Sequence, residues 1–265
     1  MSRTKYVQTL VLLISTIGSI RAQGNPRIVN GENAEYGQFP YQALLLIQFQ
    51  EWRALCGGSL ISTAWVLTAG HCAEDALSVT VRLGMINRNG TDEDGSDDGS
   101  LVLVSEDLFT HPNYNSETLE NDIALIHLPE NVKFTYRISP AELPIGHDSY
   151  QGRTAIASGF GLTKNNGKPA DRLQYAVMDV ISNTVCTATY PGIIRSTNIC
   201  TMGQKRSSTC NGDSGGPLTL EGEKTLIGVT SFVNRFTECE MNYPAGFVRV
   251  TEYVDYIREA TGMGA

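Results

Sequence analysis

Cys210-Asn211-Gly212-Asp213-Ser214-Gly215-Gly216-Pro217 is the stretch on which the reading of this chain turns. A serine stands among glycines, an acid sits directly before it, and a proline closes the segment. Glycines let a chain turn tightly and bring backbone N–H groups up to whatever the serine touches. A serine hydroxyl is a poor nucleophile unless a base takes its proton and N–H donors meet the negative charge that develops. An ordinary Gly-Ser turn would call for neither Cys210 nor Pro217. The string therefore needs a base elsewhere in the chain, and a group to hold that base.

The chain has four histidines. His71 stands in Leu67-Thr68-Ala69-Gly70-His71-Cys72, directly after an apolar strand and beside a cysteine able to pin it. His111 precedes a proline, as in a surface turn. His127 lies inside an apolar run where packing explains it, and His147 lies in a polar loop. His71 is the candidate base. The third group must fix the imidazole tautomer and stabilise the imidazolium. Asn121-Asp122-Ile123-Ala124-Leu125 places one acid at the mouth of an apolar strand, where a carboxylate is partly buried. Taken alone, Asp122 reads as a turn aspartate capping a strand. The chain order His, Asp, Ser differs from that of esterases, whose nucleophile sits on a strand-to-helix elbow.

With 265 residues, 18 % of them charged, the chain is long enough for one large domain or two small ones. Its formal charge of −8 repels phosphate backbones, so no nucleic-acid partner is expected. Arg3 and Lys5 precede a short apolar run over 7–20, and Ala22 is small; residues 1–22 read as an export signal. The run is too short for a comfortable membrane span, so a secreted, extracellular protein without a membrane partner is expected. Removal of 1–27 takes four cations (Arg3, Lys5, Arg21, Arg27) and no acid from 20 basic and 28 acidic residues, giving a formal charge of −12. Six cysteines remain: Cys56, Cys72, Cys186, Cys200, Cys210 and Cys239. An even number in an exported chain suggests three disulfides, from 15 possible pairings. His71 and Cys72 are adjacent, which rarely suits one ion, so neither a metal nor another cofactor is expected.

Short apolar or alternating runs recur at 42–49, 59–67, 78–83, 101–104, 123–128, 154–157, 173–181, 226–232 and 246–250, separated by turn residues. That spacing suggests an all-β barrel or sandwich. Only the end is helical: Tyr253, Tyr256, Ile257 and Ala260 share one face, with Thr251 placed as N-cap. The polar, acidic stretch 87–100 reads as a solvated loop, with calcium ligation as the alternative. It carries the glycosylation sequon Asn89-Gly90-Thr91.

Together the strings around His71, Asp122 and Ser214 resemble the chymotrypsin (S1) family of serine endopeptidases. So do Arg27-Ile28-Val29-Asn30-Gly31, Cys56-Gly57-Gly58-Ser59-Leu60 and Ser231-Phe232-Val233, so the likeness covers essentially all of 28–265. Gly37-Gln38-Phe39-Pro40-Tyr41-Gln42 and the expectation of three bridges are similar to arthropod brachyurin-type collagenolytic and chymotrypsin-like digestive enzymes. The resemblance implies two six-stranded antiparallel β-barrels, about 28–133 and about 134–265, with the site between them and a C-terminal helix. It implies a triad of His71 as base then acid, Asp122 as orienter and Ser214 as nucleophile. The oxyanion hole is the backbone N–H groups of Gly212 and Ser214. The implied pairings are Cys56–Cys72, Cys186–Cys200 and Cys210–Cys239.

The same resemblance implies a zymogen. Residues 23–27 are a propeptide without cysteine, which leaves once a trypsin-like protease cuts after Arg27. The new ammonium of Ile28 is received by the carboxylate of Asp213. The primary pocket aligns to Ser208, Ser231, Phe232, Val233 and Ala245, none of them acidic. An unpaired buried cation is expensive, so apolar residues before the scissile bond are expected, in the manner of chymotrypsin or elastase. Val233 stands where glycine is usual and narrows the pocket toward leucine or smaller groups. Gly70, Phe160 and Phe232 are lesser departures, replacing alanine and two tryptophans. Protein or peptide substrates, an activating protease and protease inhibitors are the expected partners of a monomer. A catalytically silent homologue acting as a binding protein is the rival reading.

Overall fold

In Ser78-Val79-Thr80-Val81-Arg82-Leu83 every second side chain is apolar. The segment forms strand β5 (Ser78–Leu83), with Val79, Val81 and Leu83 fully buried. Period-two alternation builds a strand with one buried face, whereas Leu226–Phe232 and Ala245–Arg249 are buried along almost their whole length. The structure is a computed structural model describing residues 28–92, 96, 99–233, 239–241 and 243–264. The expected signal peptide, residues 23–27, the acids at 93, 94, 97 and 98, and the segment 234–238 lie outside the described residues.

Strand β1 (Glu32–Asn33) is followed by the first barrel. Its strands are β2 (Gln42–Gln48), β3 (Arg53–Leu60), β4 (Trp65–Thr68), β5, β6 (Leu101–Ser105), β7 (Leu108–Thr110) and β8 (Ala124–His127), ordered β6-β5-β2-β3-β4-β8-β7. β6 and β7 are consecutive pieces of one bent strand, so pairing β6 to β5 and β7 to β8 closes six strands into a barrel. Ser105 holds the bend: its hydroxyl donates to the His127 carbonyl at 2.6 Å and accepts from the Asp107 amide at 3.0 Å.

The second barrel contains β9 (Thr154–Gly159), β10 (Gln174–Ile181), β11 (Asn198–Gly203), β12 (Pro217–Leu220), β13 (Leu226–Phe232) and β14 (Ala245–Arg249). The order β10-β11-β14-β13-β12-β9 closes through β9–β10. β1 adds to the outside of β10, and Val29 bridges to Ser208, so the start of the described chain lies on the second barrel. The all-β, double-barrel expectation is met.

Local details differ. The run 59–67 is not one strand: it folds back at residues 61–64, where the Ile61 amide donates to the Trp65 carbonyl and the Ala64 amide to the Ser62 hydroxyl. β11 has no counterpart among the apolar runs because Asn198-Ile199-Cys200-Thr201-Met202-Gly203 is short and weakly apolar, while the strand expected directly after the Ser214 segment is β12. Two short helices, α1 (Gly70–Ala73) and α2 (Asn183–Thr189), also interrupt the β pattern. The closing helix α3 spans Val254–Thr261 and ends at Gly262 with φ +68°. Thr251 does not cap it. That residue lies in a preceding 3-10 turn, Val250–Glu252, and its buried hydroxyl has no partner. Tyr253 and Ile257 are buried as expected, but Ala260 is exposed and Val254 takes its place.

The disulfides are Cys56–Cys72, Cys186–Cys200 and Cys210–Cys239. Two buried hydrogen bonds tie the barrels. Tyr41 Oη and Thr219 Oγ1 lie 2.9 Å apart, and the Ser158 hydroxyl donates to Gln42 Oε1 at 2.7 Å. Ser158→Ala leaves that amide oxygen buried and unpaired, a loss of about 1–3 kcal/mol. It is expected to lower the melting temperature by several degrees, since each kcal/mol moves it about 2–4 °C at this size. Thermal unfolding of the purified variant checks this, and an unchanged midpoint refutes it.

Candidate active site

β4 delivers the chain to α1, a single turn, and α1 carries His71 with Cys72 beside it. The Cys72 disulfide to Cys56 in β3 anchors this turn to the barrel wall. Asp122, just before β8, is fully buried. Its Oδ1 accepts the His71 backbone amide at 2.8 Å, and its Oδ2 faces His71 Nδ1 at 2.9 Å. The Ser231 hydroxyl, from β13 in the other barrel, donates to Oδ2 at 2.5 Å. A carboxylate with these donors makes Nδ1 the protonated nitrogen and leaves Nε2 to act as a base. Gly70 has its own reason here. A Cβ at that position would lie 3.0 Å from the Tyr114 ring and 3.2 Å from Asp122 Oδ1.

The other histidines stand apart. His111 packs edge-on to Tyr253 and against Tyr256, and burial pulls its pKa down. His127 lies against Trp65, with Asp107 3.7 Å away, and His147 is exposed. Sulfur atoms of Cys56 and Cys72 come close to the His71 ring, but they are joined to each other and offer no thiolate to a metal.

The Ser214 loop is fixed from both sides. Its carbonyl accepts the Gly57 amide at 2.7 Å from the first barrel, and the next residue, Gly215, donates to the Thr230 carbonyl at 2.7 Å in the second. Gly215 has φ +78°, and a Cβ there would stand 2.1 Å from Thr68 Oγ1, so glycine is required. Gly212 has φ +95°. Among the described residues, neither the Gly212 nor the Ser214 amide donates to a protein acceptor. Ser214 and His71 line one cavity of about 1070 Å³.

Asp213 points the other way, into the protein. It is buried, and its carboxylate accepts the Gly161 amide at 2.8 Å and the Cys210 amide at 2.9 Å. Burial pushes its pKa up to about 7, with the two amides pulling against the shift. No cationic side chain pairs with it among the described residues. Ile28 is fully buried in the second barrel's core, and Arg27 lies outside the described residues.

Of the residues aligned to the pocket, Ser231, Phe232 and Val233 line the cavity, facing Thr209, Cys210 and Asn211. The Phe232 ring packs edge-on to Tyr190 at 5.2 Å and covers Gly246, where a Cβ would meet it at 2.3 Å. Ser208 and Ala245 are buried and do not line the cavity. The Ser208 hydroxyl is turned to the Thr209 carbonyl, and Ala245 packs inside the second barrel. Asn89 is exposed in its loop, with Oδ1 accepting the Thr91 amide. Asp92 accepts the Tyr36 hydroxyl.

Sequence reading placed Ser231 in the pocket wall and missed its bond to Asp122, which only the meeting of the two barrels creates. It also missed the Gly57 amide that holds the Ser214 carbonyl. A signal was present in the paired glycines of Cys56-Gly57-Gly58, which allow backbone approach; a Cβ on Gly57 would lie 2.8 Å from Gly216.

Comparison with known proteins agrees with this geometry. Residues 28–257 match the trypsin family. The chain is 42 % identical over 242 residues to a collagenase of Hypoderma lineatum, covering 89 % of this chain and 88 % of that one. It is 39 % identical to brachyurin of Leptuca pugilator, covering 89 % and 99 %, and 34 % identical to chymotrypsin-C of Bos taurus, covering 95 % and 96 %. The solved structure of HL collagenase superposes with a TM-score of 0.81 at 41 % identity, covering 90 % of this chain and 100 % of that one. The chain belongs to the trypsin family of chymotrypsin-like serine endopeptidases.

The raised Asp213 pKa sets a pH dependence of stability. The group keeps its proton in the folded state up to about pH 7 but loses it near 3.8 when unfolded. Its contribution to stability is therefore complete below about pH 4 and is lost as the pH rises through 7. Asp213→Asn in the full chain should flatten this dependence. Melting temperatures of both proteins at acidic and mildly alkaline pH check it: the unsubstituted protein should lose more on going alkaline.

Proposed function

We propose that this chain is the secreted precursor of an endopeptidase, cut after Arg27 by a trypsin-like protease, whose mature form cleaves after apolar residues. The observation that carries this is the buried Asp122 carboxylate holding His71 Nδ1 while Ser214, with two uncommitted amides beside it, lines the same cavity. In this reading His71 Nε2 takes the Ser214 proton as Oγ attacks the scissile carbonyl. The Gly212 and Ser214 amides receive the oxyanion. His71 then gives the proton to the leaving amine, and water repeats the cycle to free the acyl group.

Activation follows from the state of Asp213. Its buried carboxylate carries only two amide donors, and an ammonium on Ile28 supplies the missing cation. A buried charge left unpaired costs several kcal/mol, so the pair stabilises the loop that holds both oxyanion amides. Ile28 already sits in the second barrel's core, which favours a short path for the new end.

Specificity follows from the second-barrel end of the cavity. Thr209, Cys210, Asn211, Thr230, Ser231, Phe232, Val233 and Cys239 line it, and none of these described residues carries a carboxylate to pair with arginine or lysine. Val233 branches into the space, which favours leucine or smaller groups over phenylalanine. The names of the collagenase and brachyurin relatives suggest extended protein substrates as well as short peptides. Glycosylation at Asn89, inhibition by protease inhibitors and a monomeric state belong to the same proposal.

The test is to treat purified precursor with catalytic trypsin, block the trypsin with a selective inhibitor, and measure rates on short amides. Amides ending in leucine or phenylalanine should turn over only after Ile28 becomes the new end, with arginine amides slow. Ser214→Ala should lower kcat by about 10⁵–10⁶. Asp122→Asn should lower it by about 10⁴, the known figure for this family's aspartate. A silent homologue would show no turnover despite a correct Ile28 end. Val233→Gly should shift the Phe/Leu ratio of kcat/KM toward phenylalanine by about 10-fold, the size of a methylene or two in such a pocket. An unmoved ratio would place Val233 outside the pocket.

A further inference from the structure

The cavity has a second end that the chemistry above does not use. Opposite the Thr209–Asn211 wall it is bounded by the turn between β2 and β3, Phe49-Gln50-Glu51-Trp52, and by Glu74 and Asp75 just after α1. His71 hands its proton to the departing amine on this first-barrel side, so the fragment after the scissile bond lies here. The turn is rigid. The Phe49 amide donates to the Trp52 carbonyl at 3.0 Å, and Gln48 bonds the Phe49 carbonyl with its amide nitrogen. Gln48 Oε1 in turn accepts Arg53 Nε at 2.6 Å, which engages Arg53 outside the cavity lining.

Trp52 is 58 % exposed, yet its ring is held parallel to that of Phe49, with centroids 3.9 Å apart and planes 12° apart. An exposed indole face fixed at the rim of a substrate cleft is a surface for stacking. Its surroundings select what stacks. Glu51, Glu74 and Asp75 are all exposed, and no lysine or arginine is among the described residues lining the cavity. A planar cation above an indole face is attracted by the ring quadrupole, and more so beside carboxylates. The formal charge of −12 expected for residues 28–265 draws cationic substrates in the same sense.

We propose that Trp52, with Glu51, Glu74 and Asp75, is a specificity element for the leaving-group side, selecting substrates with arginine or lysine among the first three residues after the scissile bond. This rests on the reading of the cavity as a peptidase cleft. It gives the enzyme opposite preferences on its two sides: apolar before the bond, cationic after it.

The test uses activated enzyme and internally quenched peptides identical up to the scissile bond and carrying Arg, Gln or Glu at each of the next three positions. At one or more positions Arg should exceed Glu by about 10-fold in kcat/KM, with Gln between, and the ratio should shrink in high salt. Each variant's rates are normalised to its own rate on a short amide that has no residue after the bond. Trp52→Ala and the double variant Glu51→Gln/Glu74→Gln should each bring the Arg/Glu ratio toward one. Equal rates for Arg, Gln and Glu at all three positions, or a ratio indifferent to both variants, overturn the proposal. If no peptide is cleaved, the peptidase reading fails separately. Quenching of tryptophan fluorescence in Ser214→Ala protein, with Ser214→Ala/Trp52→Ala as the control for Trp65, then still decides: tighter binding of Arg than Glu peptides supports this surface, and equal binding overturns it.

Discussion

The carboxylate of Asp122 is the point through which the two barrels act as one site. It is sealed from solvent, and a sealed charge is tolerable only when donors surround it. Those donors come from both halves of the molecule: the amide and ring of His71 from the first barrel, and the hydroxyl of Ser231 from the second. The need to satisfy one buried charge therefore helps to set how the barrels meet. Tyr253, near the end of the chain, joins in by donating to Asn121 Oδ1 at 3.0 Å. The closing helix thus steadies the turn that presents the acid.

Ser214 and Asp213 are neighbours in sequence with opposite environments. One faces an open cleft and the other a sealed interior. The glycines on either side of the pair make this possible, since Gly212 and Gly215 both take φ values that other residues resist. Gly159 and Gly161 make room for the buried acid: a Cβ on either would come within 2.6 Å of a carboxylate oxygen. One short segment therefore carries both the Gly212 and Ser214 amides on the cleft side and the buried Asp213 carboxylate on the other.

Much of this was legible in the chain. The run 78–83 became a strand at its expected bounds because burial on one face leaves a period of two, and the apolar run 226–232 did so as a strand buried along almost its whole length. The strings around His71, Asp122 and Ser214 were informative because reactive side chains sat beside glycine, cysteine or apolar strands, which restrict the backbone. A weakly patterned strand such as β11 was not legible, since its partners rather than its own residues hold it. The misplaced cap at Thr251 has a similar cause: packing of Tyr253 and Val254 moved the helix start along the chain.

By itself the sequence determined most of the strand content, the family likeness carried by the strings around His71, Asp122 and Ser214, and the absence of an acid at the aligned pocket positions, because each follows from residue type and near neighbours. Only the tertiary structure decided what those residues touch. It gave Ser231 to Asp122, buried Ser208 and Ala245 outside the cavity lining, clamped the Ser214 carbonyl with Gly57, and stacked Trp52 on Phe49 beside three acids from two separate turns. Those outcomes depend on distances between segments far apart in the chain. Such distances are set by closing two barrels and packing them together, which no local pattern encodes.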